Sequence, residues 1–153
     1  MLNIFIGAGL IVVCSMLGKV KAQKLKNEYL FFSSLRSFCK SYETNLAYGK
    51  KDLTVFLNET YALTEFTEVL NNFILNSQIA LPNYLNAKEV YDVTNFFNEL
   101  GKSDSASQLI TVKSYYNTFL DVEKVKNDEF KKHYSAYLKI GFSIGFMLFL
   151  VVI

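Results

Sequence analysis

Acid–base or metal chemistry would have to pass through very few side chains here. His133 is the one histidine in the chain, and it stands in a lysine-rich approach to an apolar tail, so it reads as an interfacial residue, not a general base. Glu65 and Glu68 are three residues apart, a spacing that puts paired carboxylates on one helical face. No apolar pocket accompanies them, and they read as a solvated face. Cys14 and Cys39 are too few for a disulfide framework and fit a reducing compartment. Val13 occupies the position before Cys14 where a lipidated cysteine needs a small residue, so Cys14 reads as a small buried hydrophobe. The seven glycines are scattered or lie in apolar segments, which leaves no phosphate-binding loop, zinc motif or nucleophile elbow. The expectation is a non-enzymatic protein with no catalytic residue, no metal and no cofactor.

The elements around these residues are dominated by two apolar ends. From Leu2 to Gly18 the only strongly polar side chain is Asn3, and a helix over this stretch is roughly 25 Å long, just enough to cross a bilayer core. A second run extends from Tyr137 to Ile153 with Lys139 as its only charge, placed to snorkel beside Tyr134 and Tyr137. The first segment reads as a retained anchor and not a cleaved signal. It has no Lys or Arg before the apolar run and no small-x-small pattern ahead of Lys19. Lys19, Lys21, Lys24 and Lys26 follow the first span, and Lys126, Lys131, Lys132 and Lys139 gather at the second. The positive-inside rule therefore places the middle of the chain in the cytoplasm and both termini outside. Gly141 and Gly145 form a small-xxx-small pair suited to close helix pairing, and Gly7 and Gly9 offer a similar groove on the other span. The partners expected from this layout are membrane lipids, with a homo-oligomer open. A net charge of only +2 argues against nucleic acid.

Between the spans nothing alternates with the two-residue period of a strand. Leu25, Tyr29, Phe32, Leu35, Cys39, Tyr42 and Leu46 recur at steps of three and four, one stripe of a long helix that Gly49 should end as a left-handed cap. Lys50 and Lys51 then open a short piece carrying Leu53, Phe56 and Leu57. Another helix is expected from about Leu63 to Asn76, broken off before Pro82. Asn86 and Glu89 make a capping box for a helix that buries Val90, Val93, Phe96, Phe97 and Leu100 and stops at Gly101. Either Asp104, or Ser105 with Gln108, can cap the last helix, which runs uninterrupted into the apolar tail. Carboxylates Glu59, Glu65, Glu68, Glu89, Asp92 and Glu99 crowd the inner segments, away from the lysine collars. The fold expected is all-α: an antiparallel bundle of about five helices over residues 19–136, flanked by transmembrane helices over 2–18 and 137–153.

The segment Glu99-Leu100-Gly101-Lys102-Ser103-Asp104-Ser105-Ala106-Ser107-Gln108, followed by a long charged helix and an apolar tail, resembles the C-terminal half of the stage III sporulation protein AB family. Upstream, Tyr42-Glu43-Thr44-Asn45-Leu46-Ala47-Tyr48 is similar to that family's Leu-Glu-x-Glu-Ile-x-Tyr pattern. There are two departures: Asn45 replaces the second glutamate of that pattern, and Lys51-Asp52 stands where the family usually has Thr-Pro. Glu43, Tyr48, Leu100, Gly101, Asp104, Ser107 and Gln108 carry the likeness. The resemblance implies a structural subunit of the mother-cell membrane that faces the forespore, similar to the inner-membrane platform protein of type II secretion. It further implies an AA-type ATPase docked on the cytoplasmic bundle and other stage III A channel proteins around the membrane helices. A membrane-anchored adaptor, or a pilus or secretion platform protein outside sporulation, is the alternative.

Overall fold

In a computed structural model, the structure describes residues 2–49, 51–59, 65–76 and 78–152. Lys50, Leu63 and Ile153 lie outside the described residues, as do the side chains of Asn3, Glu59 and Glu65. The architecture is all-α, with no strand among the described residues. Its helices are α1 (Leu2–Thr44), α2 (Leu53–Glu59), α3 (Glu65–Asn76), α4 (Ala87–Glu99) and α5 (Ser105–Val152), with a π-helical turn over Asn45–Gly49 closing α1. The apolar ends are not separate helices, because nothing breaks the backbone between them and the charged middle. Gly18 sits inside α1, and α5 carries Gly141 and Gly145 without interruption. Among the described residues there are five α-helices, with the flanking spans built into the first and last.

The chain forms two compact units: Met1–Tyr29 with Val125–Ile153, and Leu30–Lys124. These boundaries lie further in along the sequence than the apolar segments 2–18 and 137–153.

In the first unit, α1 and α5 run antiparallel, with Gly18 against Gly141 and Gly7 against Phe149. Both helices are long and apolar enough to cross a membrane, and only 17% and 11% of their apolar stretches are buried. A core helix of a soluble protein would be mostly covered. Beyond the glycines the pair becomes polar and aromatic. Tyr29 stacks on Phe130 at 5.8 Å between centroids, and Lys126 Nζ donates to the buried carboxylate of Glu28 at 2.8 Å, with Lys24 3.7 Å from its other oxygen. Removing one partner from such a buried pair costs about 3–5 kcal/mol, so the contact disfavours any slipped register of the two helices.

The second unit is held by an aromatic core. Phe38 of α1 touches Phe56 of α2, Phe66 of α3 and Phe96 of α4 at centroid distances of 5.7, 5.6 and 6.0 Å, and Phe96 passes the contact to Phe119 of α5 at 5.5 Å. Phe31, Phe32, Leu35, Val69, Leu70, Val93, Phe97 and Val112 also belong to it. Truncating a ring so placed leaves a cavity costing about 3–5 kcal/mol. α4 begins with the predicted box: Glu89 N–H donates to Asn86 Oδ1 and Asn86 N–H to Glu89 Oε2, each at 2.9 Å. That exchange turns Glu89 inward, to 7% exposure, and leaves Val90, expected in the core, 37% exposed. On the side of the bundle, Arg36 pairs with Glu123. The Arg36 Nε is buried without a well-directed hydrogen bond, so this is a charge contact more than a linear bond.

Candidate functional site

The residues that carry the family likeness converge at one end of the second unit, where α1 stops and α4 turns into α5. α1 does not end on a left-handed glycine. Gly101, at φ +73°, is the positive-φ glycine among the described residues, and Gly49 belongs to the π-turn. What closes α1 is Asn45, whose carboxamide donates from Nδ2 to the Lys51 carbonyl at 2.9 Å and accepts the Lys51 N–H on Oδ1 at 3.2 Å. A β-carbon on Gly49 would lie 2.6 Å from that pinned oxygen, so the clasp needs glycine beneath it.

The α4–α5 turn is built with similar economy. Leu100, nearly buried, caps α4 by donating to the Phe97 carbonyl at 3.3 Å, and Gly101 reverses the chain. Gln108, 2% exposed, reaches back so that its Oε1 accepts both the Gly101 N–H and the Ser103 hydroxyl at 3.1 Å. Of the two caps open to α5, Asp104 is the one used. Its Oδ2 accepts the N–H groups of Ala106 and Ser107 at 3.1 and 3.2 Å. A further bond from the Ser107 side chain, then its N–H, holds the Asp104 carboxyl below its usual range. A β-carbon on Gly101 would meet Leu53 Cδ2 at 2.7 Å, so α2 rests directly on this turn.

Between the clasp and the turn lies a cavity of about 380 Å³ lined by Tyr42, Asn45, Leu53, Gly101, Ser103 and Gln108 among others. Asn45, Gly101, Ser103 and Gln108 are tied within the clasp or the turn, which makes the wall rigid. Burial raises the Tyr42 hydroxyl above its ordinary value and does the same to the Cys39 thiol one turn below, which keeps that sulfur protonated and unreactive. Among the described residues no three His, Cys, Asp or Glu side chains gather as a metal site.

Of the remaining motif residues, Glu43 lies outside this cavity and ties α1 to α5, 2.9 Å from Lys40 and 3.8 Å from Lys113. Tyr48 stands 85% exposed on the π-turn. His133 is in the other unit, partly buried near the Tyr137 ring. Gly141 and Gly145 are also there, facing α1: β-carbons on them would lie 2.7 Å from the Cys14 carbonyl and 2.8 Å from Ile11 Cα. Gly9 faces nothing within 4 Å, whereas Gly18 meets the Tyr137 carbonyl at 2.6 Å. Asn45 and Gly18 are the residues that sequence reasoning passed over. The steps of four, three and four through Gly7, Ile11, Cys14 and Gly18 were the available signal for the second. No protein-family model, curated protein or solved structure matches the chain.

Proposed function

We propose that the chain is a structural platform anchored in the cell membrane by both apolar segments, with its central bundle in the cytoplasm. One observation carries the reading: α1 and α5 pair antiparallel through their glycines, which brings Lys19–Lys26 and Lys126–Lys132 to the same end of the pair. Two spans with both basic collars at one end are what a single inner-leaflet approach requires. Within that reading, the likeness of Glu99–Gln108 and Tyr42–Tyr48 to the stage III sporulation protein AB family supports a particular setting. There the chain is a subunit of the secretion-like channel between mother cell and forespore, docking an AA-type ATPase on its bundle beside other channel subunits. Deleting the gene in a spore former then arrests development after engulfment, and normal spore yield contradicts it.

A second reading has its own support. Asn45, which departs from the family pattern, bonds the main-chain N–H and carbonyl of Lys51, and a glutamate at 45 could not donate to that carbonyl. A platform with a different clasp suits an adaptor or pilus-type assembly outside sporulation. Affinity capture of the full chain from membranes separates the two: a sporulation-type ATPase supports the first, a pilus ATPase the second.

A further inference from the structure

Where α1 and α5 meet, Gly18 and Gly141 lie backbone against backbone, and alongside that contact runs an open groove of about 410 Å³. That is within the ~300–1,000 Å³ span of small-ligand sites. Cys14, Leu17, Ile140 and Ile144 form its walls. One end differs: Lys21 and Tyr137 close it, with the Lys21 Nζ 5.9 Å from the Tyr137 ring centroid. The groove is apolar along its length and cationic at one mouth, and Lys19, Lys24 and Lys139 are exposed in the same unit.

We propose that this groove seats an acyl chain of one anionic phospholipid, with the headgroup phosphate against Lys21. The inference rests on the membrane-anchored reading above. Charge complementarity selects the occupant. An acyl chain covers Leu17, Ile140 and Ile144, while a phosphate meets the lysine at the level where tyrosine and lysine side chains lie in an interface. A second copy docked through the same groove by two-fold symmetry would instead bring one Lys21 toward the other, like charge against like.

The test is native mass spectrometry of the full-length protein purified from detergent containing equal phosphatidylglycerol and phosphatidylcholine. Wild type is expected to retain phosphatidylglycerol about fivefold over phosphatidylcholine, the preference that one lysine near an anionic headgroup provides. Lys21→Gln should abolish the preference but keep lipid, Ile144→Trp should expel the lipid by filling the groove from its rim, and Lys26→Gln should leave the preference intact. Equal retention of the two lipids by wild type, or an unchanged preference in Lys21→Gln, overturns the site. So does a dimer in place of the lipid-bound monomer, dissolved by Ile144→Trp, which gives the groove to a second copy. These results leave the anchoring reading standing if the protein resists alkaline extraction from membranes; release by alkali overturns the anchoring instead.

Discussion

A single carboxamide oxygen, Oε1 of Gln108, accepts two of the hydrogen bonds at the α4–α5 turn, so its loss cannot be absorbed by rearrangement of one neighbour. Gln108→Leu leaves the Gly101 N–H and the Ser103 hydroxyl without that acceptor. The expected destabilisation is about 1–3 kcal/mol, read from chemical or thermal melts followed by circular dichroism. Asp104 makes a pH-dependent contribution at the same turn. Its folded-state carboxyl is held below the ordinary 3.8, so its stabilisation is present above that value and lost as pH falls through the folded-state value. Asp104→Asn keeps a capping oxygen that does not titrate, and its stability should fall less steeply than wild type as the pH is lowered below about 4. The Asn86–Glu89 box was legible in the sequence because both partners lie within one turn. The Asn45 clasp was not, because its partner Lys51 belongs to the next segment and a π-turn leaves no local pattern. Gln108 was read as a capping partner; the positive φ at Gly101 turned it backward instead.

At the scale of elements, the helix stripes of α3, α4 and α5 were readable from apolar spacing, since Phe66, Val69, Val93, Phe97, Val112 and Phe119 recur at helical steps and all are buried. Continuity of α1 from its apolar end to Thr44 was harder to read, because Gly18 looks like a stop in one dimension. In space Gly18 is a contact. A larger residue there must displace the Tyr137 backbone, whereas one at Gly9 enters open space. Gly18→Leu is accordingly expected to cost about 1–3 kcal/mol of helix-pair stability and to lower the thermal midpoint of the purified protein in detergent. Gly9→Leu should leave that midpoint unchanged. Equal effects of the two substitutions would mean that the glycine face does not set the approach of α1 and α5.

For the whole molecule, the sequence divides charge as the proposed topology demands. The unit formed by Met1–Tyr29 and Val125–Ile153 holds eight lysines against three carboxylates, and acidic residues outnumber basic ones in Leu30–Lys124. That division was visible without coordinates; which helices meet through the glycines was not. Cys39 is fully buried with its thiol pushed up by burial, so it cannot report sidedness, and the probe belongs on an exposed position such as Asn98 of α4. The decisive measurement is labelling of Asn98→Cys, in a Cys14→Ser, Cys39→Ala background, with a membrane-impermeant maleimide in intact and in permeabilised cells. The protein is expected to stay with the membrane after alkaline washing and to be labelled only once the cells are permeabilised. Labelling in intact cells, or recovery of the unlabelled protein in the soluble fraction, would contradict a platform held in the bilayer by both ends with its bundle in the cytoplasm.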